Sequence, residues 1–152
     1  MGRASLAHKR IARRLLVALE AFLLDSPCGP FILDAKLETR IDCSEIVYYP
    51  DLMVACRPQE RAGTGVRNPV LTVEILCPST RQIDVREKVV RYGRVDAIEE
   101  YLVLSQDAYR AILYRKADGW RVRVQAPSDA LIELRSSGMS RVLASAQEGS
   151  LC

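Results

Sequence analysis

The chain has 152 residues, 49% of them hydrophobic and 27% charged, with a net charge of +3. That length suffices for one domain that buries about two-thirds of its unfolded surface, and so mild a charge neither marks a nucleic-acid binder nor excludes one. No apolar segment reaches the roughly 18–20 residues a membrane span needs, so no membrane partner is expected.

Residues 6–24 place Leu6, Ile11, Leu15, Leu16, Leu19, Phe22 and Leu23 near a 3.6-residue period, with arginines filling much of the other side. This predicts an amphipathic helix ended by DSPCGP. The basic-then-apolar order is not that of a secretory signal, because Glu20 interrupts the apolar part and the small-residue cleavage site is poor. Gly2 has Leu6 where a myristoylation signal needs serine or threonine. The five cysteines, Cys28, Cys43, Cys56, Cys77 and Cys152, form no CxxC pair, and His8 is the sole histidine. They predict reduced thiols, a cytoplasmic protein and no structural zinc.

Further along, 31–41 reads as a strand, IDCSEIV as a turn, 48–56 as a second strand and RPQERAGTGVRNP as a polar loop before a third strand, VLTVEIL. CPSTRQ breaks that strand, and 82–94 is a helix with Val85, Val89 and Tyr92 on its apolar side. Strands follow at 99–105, 110–116 and 119–125, the last two joined by a KADG turn. After Pro127 the pattern weakens to a short strand at LIELRSS and a loose tail. The order predicts an α/β fold, a mixed sheet flanked by helices, as one domain over 1–130 with a poorly defined tail over 131–152.

Glu74 stands inside the most apolar strand, and an unpaired buried carboxylate costs several kcal/mol. Alternation puts it on one face with Thr72, and Asp51 sits at the mouth of the preceding strand. If these strands are neighbours the two carboxylates converge, and a hard divalent cation between them would relieve their repulsion. The competing reading pairs Glu74 with a buried arginine and makes Asp51 a turn cap. Asp84, Lys88 and Tyr92 are spaced to line one face of the following helix, a spacing that by itself is most often a solvated surface.

YYPDLMVAC, then NPVLTVEILCPSTRQIDVREKVVRYGRVDAIEEYLVLSQD, then YRKADGW, together resemble the Uma-two putative restriction endonuclease family of the PD-(D/E)xK nuclease superfamily. The resemblance covers roughly 8–125, is most specific over 48–107, and implies a restriction endonuclease-like fold with an αβββαβ core. It implies a nuclease dependent on Mg²⁺ or Mn²⁺, with DNA as the expected nucleic-acid partner and a homodimer among the expected states. By position, Asp51 matches the acid of the PD half-motif and Glu74 that of ExK. The lysine of ExK is replaced by Leu76, and the family's habit of carrying it on the next helix points to Lys88.

The metal would then be held by Asp51, Glu74 and the backbone carbonyl of Ile75. Asp84 and Tyr92 would hold Lys88, and Arg81, Arg86, Arg91 and Arg94 would meet phosphates. Two departures stand out: the chain begins near the family's first long helix, without the short segment that often carries a further acid, and Cys77 stands where serine is usual. The alternative function is a nuclease-like module that binds nucleic acid or a partner protein without cutting.

Overall fold

The computed structural model describes residues 5–32, 36–41, 44–56, 65–76, 83–106, 110–125 and 133–137. Helix α1 spans Leu6–Phe22, and the Ser5 side chain caps it by accepting the His8 N–H. Among the described residues nine strands follow: β1 (Gly29–Ile32), β2 (Lys36–Ile41), β3 (Ser44–Tyr48), β4 (Leu52–Ala55), β5 (Gly65–Val66), β6 (Leu71–Leu76), β7 (Glu100–Ser105), β8 (Ala111–Arg115) and β9 (Val122–Gln125). Helix α2 (Ile83–Tyr92) lies between β6 and β7.

The main sheet has the order β1-β4-β6-β7-β8-β9, and β3-β2-β5 form a smaller one. Among the described strands of the main sheet only β6 and β7 are parallel, joined by a crossover through α2. Taken in chain order, α1, β1, β4, β6, α2 and β7 make the expected αβββαβ core, and the fold is restriction endonuclease-like.

Every residue of β6 is buried because both faces of the strand are covered, which is why its sequence runs apolar rather than alternating. On one face Leu71, Val73 and Ile75 join Leu52, Val54, Leu102 and Leu104 beneath Ile11, Leu15 and Leu19 of α1. On the other, Met53, Leu76 and Val103 pack with Val85 and Tyr92 of α2 and with Leu37 and Val66 of the small sheet.

Three local readings are corrected. The segment 31–41 is two strands in two different sheets, and most of the presumed IDCSEIV turn is β3, which pairs with β2. Apolar alternation alone cannot tell one long strand from two that part company. The thiols are not all reduced: Cys28 and Cys56 form a disulfide. The antiparallel register Gly29↔Ala55 sets these two cysteines side by side, although 28 residues separate them in the chain. The KADG turn, by contrast, makes the expected hairpin between antiparallel β8 and β9, as a 3-10 turn at Lys116–Asp118 closed by Gly119 in the left-handed region at φ 66°.

Residues 133–137, read in the sequence as tail, touch the body of the protein. Leu134 is fully buried in the α1-side core. Beside it lies a second buried charge cluster. Arg115 Nε donates to Glu100 Oε1 at 2.8 Å, with both side chains nearly inaccessible. Glu100 also accepts from the backbone N–H groups of Arg135 and Ser136 and from the Ser136 hydroxyl, while Arg115 donates to the Glu133 carbonyl.

Removing one partner strands the other charge, so Arg115→Met should cost about 3–5 kcal/mol. The double variant Arg115→Met/Glu100→Gln should cost clearly less than the sum of the two single changes. Urea unfolding of the three variants measures this, and an Arg115→Met midpoint equal to wild type would contradict it.

Candidate active site

The site lies at the carboxyl ends of β6 and β7, a position parallel strands commonly give to ligand sites. Its geometry begins with a mismatch of strand lengths. Antiparallel β4 faces β6 only from Leu52↔Val73 to Val54↔Leu71, so β6 runs on past the start of β4. Asp51, the residue just before β4, fills the gap: its Oδ2 accepts the Ile75 N–H at 2.8 Å, standing in for the missing strand. The Leu76 carbonyl on the next position accepts from Gln106 N on the β7 side. Polar backbone groups alternate in direction along a strand, so Ile75 turns both its N–H and its carbonyl toward Asp51.

Glu74 points to the α2 face and is 5% exposed. Its Oε2 receives Lys88 Nζ at 2.5 Å, and its Oε1 receives the Tyr92 hydroxyl at 2.8 Å. Lys88 and Tyr92 are one helical turn apart on α2, so a single helix face delivers both donors. The cation beside Glu74 is therefore the lysine of the next helix, not an arginine. Tyr92 is fixed in turn by edge-to-face rings, Tyr48 at 5.6 Å and Tyr101 at 4.9 Å between centroids.

Burial pushes the Glu74 carboxyl above its ordinary range, the Asp51 charge adds a smaller push in the same direction, and Lys88 and Tyr92 pull only part of the way back. The Lys88 side chain is 27% exposed, so water screens its attraction, while the desolvation of Glu74 is nearly complete. Burial, followed by the neighbouring Glu74 charge, drives the Tyr92 hydroxyl far up, so it stays protonated and remains a donor.

The structure thus brings Asp51, Glu74, the Ile75 backbone, Lys88 and Tyr92 together. Asp84 lies on α2 one turn before Lys88, but its side chain is outside the described residues, as are Arg81 and Cys77. Arg86, Arg91 and Arg94 are exposed, and Arg91 is engaged in an ion pair with Glu87.

Two residues at this site were not assigned from sequence. His8 Nε2 lies 2.9 Å from Asp51 Oδ1, and Gln106 Nε2 lies 3.4 Å from His8 Nδ1. The Ser5 hydroxyl donates to Gln106 Oε1 at 2.6 Å. A signal for His8 existed, since it shares the buried face of α1 with Ile11, Ala12, Leu15 and Leu19 and is the one polar residue among them. For Gln106 there was none, because only the parallel register Leu76↔Ser105 brings it near.

The raised Glu74 carboxyl fixes a pH signature. A folded-state value above the unfolded one contributes stability in full below the ordinary value of 4.5, and that contribution is lost as pH rises through the folded value. Glu74→Gln cannot ionise, so without metal it should match wild type in acid and melt a few degrees higher at neutral pH. Thermal melts of both proteins across this range in EDTA test it. A variant less stable than wild type at neutral pH would show that the Lys88 pairing outweighs desolvation.

Comparisons with known proteins agree with this architecture. The chain matches the Uma2 family, described as "putative restriction endonuclease", over residues 1–142. It is 32% identical to an uncharacterized protein of Synechocystis over 143 residues, covering 92% of this chain and 74% of that one. A second uncharacterized Synechocystis protein is 33% identical over 116 residues, 74% of this chain and 64% of its own length. The fold is similar to the crystal structure of a putative nuclease from Anabaena variabilis, with a TM-score of 0.77 at 15% identity, covering 97% of this chain and 83% of that one. The match over nearly the whole chain means that this protein belongs to the Uma2 family.

Proposed function

We propose that the protein is a metal-dependent nuclease that hydrolyses phosphodiester bonds in DNA, with Asp51, Glu74 and Lys88 as its catalytic groups. The observation that carries this reading is a buried carboxylate, Glu74, held against a lysine and near a second carboxylate at the carboxyl end of a parallel strand pair. The description of the family and the nuclease named in the related crystal structure support the same chemistry.

The donor set suits a hard divalent cation. Asp51 and Glu74 offer carboxylate oxygens, and the alternation of backbone groups along β6 would turn the Ile75 carbonyl to the same side. Among the described residues no group of three or more His, Cys, Asp and Glu side chains gathers around one point. Mg²⁺ is commonly held by one or two carboxylates, with water and substrate phosphate completing its shell. When bound, the cation would polarise a phosphoryl oxygen and acidify a water. Lys88 would orient the attacking water and offset the negative charge that develops on the phosphoryl oxygens. Tyr92, locked as a donor, would keep Glu74 in place while Lys88 turned to the substrate, and Asp84 of α2 would steady the lysine.

Lys9, Arg10, Arg13 and Arg14 form an exposed basic surface on α1, on the side of the helix turned away from the sheet. Arg86 and Arg91 of α2, on the Glu74 side of the sheet, would meet phosphates of the nucleic acid. A second reading rests on the ion pairs themselves. Each carboxylate already has a partner within the protein, as a module that binds nucleic acid without cutting would need.

Incubation with plasmid and single-stranded substrates in Mg²⁺, Mn²⁺ or EDTA separates the two. Cleavage should require the metal, and Lys88→Met should lower its rate about 10²–10³-fold while metal still binds. Equal cleavage in excess EDTA would overturn the metal-dependent mechanism. Absence of cleavage with every metal and substrate would favour the binding module.

A further inference from the structure

His8 is 8% exposed, lies on the core-facing side of α1 and makes no contribution to the chemistry described above. Its surroundings nonetheless form an ordered relay. The Ser5 hydroxyl donates to Gln106 Oε1 at 2.6 Å, which turns the amide nitrogen of Gln106 toward His8 Nδ1 at 3.4 Å. Nδ1 therefore accepts, and the ring proton sits on Nε2, which donates to Asp51 Oδ1 at 2.9 Å. Ser5 is itself anchored as the α1 cap by the His8 N–H at 3.1 Å. The chain Ser5–Gln106–His8–Asp51 thus ties the start of α1, the end of β7 and the start of β4 to one carboxylate.

Among the described residues Asp51 has two donors, one on each oxygen: His8 on Oδ1 and the Ile75 N–H on Oδ2. A carboxylate oxygen has two lone pairs, so each keeps one for another partner. Two fixed donors at right positions set the plane of the carboxylate. Asp51 is otherwise partly exposed, with 21% of its side chain accessible, and would rotate.

We propose that His8 is the positioning residue of this site: through Nε2–H it fixes the Asp51 carboxylate in the orientation that receives a divalent cation, and Gln106 fixes His8. The proposal rests on the reading of Asp51 as a metal ligand. It makes α1 part of the site rather than a cover for the sheet. His8 acts through Asp51 and is not itself a ligand.

The test is Mn²⁺ binding, followed by the loss of the free-ion electron paramagnetic resonance signal, for wild type, His8→Ala, His8→Gln and Gln106→Leu. Melts in EDTA accompany each protein. Loss of a partner that orients a ligand typically weakens metal affinity about 10–100-fold, and that is the loss expected for His8→Ala. Gln106→Leu should lose less in the same direction. His8→Gln should recover most of the loss, because its amide N–H reaches where Nε2–H was. If wild type binds Mn²⁺ and His8→Ala binds it equally, this proposal falls while the metal site stands. If wild type binds no Mn²⁺, the reading of Asp51 as a ligand falls and takes the proposal with it. If His8→Gln is as weak as His8→Ala, His8 acts by packing alone, and if bound Mn²⁺ shows coupling to a histidine nitrogen, His8 is a ligand. Either result overturns the positioning role. Should His8→Ala fail to fold, Gln106→Leu decides in its place: weakened Mn²⁺ binding supports the relay, and wild-type binding overturns it.

Discussion

A carboxylate almost wholly removed from water, Glu74 in the middle of the central strand, is the constraint around which the site is arranged. Its desolvation is only partly offset by the Lys88 ammonium and the Tyr92 hydroxyl, both from one face of α2. Moving α2 by a turn would remove both donors and leave the charge alone, at a cost of several kcal/mol. The crossover from β6 through α2 to β7 is therefore tied to the chemistry of β6. The rings of Tyr48, Tyr92, Tyr101 and Tyr114 carry that constraint deeper into the core.

The second half of the site follows from a sheet that stops early. Because β4 begins opposite Val73, the last residues of β6 have an open flank, and the side chain of Asp51 takes the place of a strand by accepting the Ile75 N–H. One backbone break thus gathers a carboxylate, an amide and a carbonyl on the same side of β6. Helix α1 closes this flank through His8. The buried Glu100–Arg115 cluster at the other end of β7 differs in kind: its charges are saturated by backbone and hydroxyl donors, and it anchors residues 133–137.

Much of this was legible in the sequence because the relevant signals are local. The apolar run of β6, the apolar face of α1 and the helical spacing of Lys88 and Tyr92 each follow from one element's own period. The acid inside β6 flagged the site, since a residue that contradicts its surroundings is often functional. What stayed hidden depends on register between distant segments. The pairing of β1 with β4 joins Cys28 to Cys56, and the parallel register of β6 and β7 brings Gln106 to His8; neither has a local trace. The split of 31–41 into strands of different sheets is hidden for the same reason, because alternation reports burial on a face and not which sheet the face belongs to.

In the proposed nuclease the Asp51 and Glu74 carboxylates form one cation site from which Lys88 is released to the substrate. Anomalous diffraction from crystals soaked in Mn²⁺ tests it most directly. One strong peak is expected within bonding distance of Asp51, Glu74 and the Ile75 carbonyl, with Lys88 Nζ drawn away from Glu74. A soaked crystal without a peak there, with Lys88 still against Glu74, would contradict it.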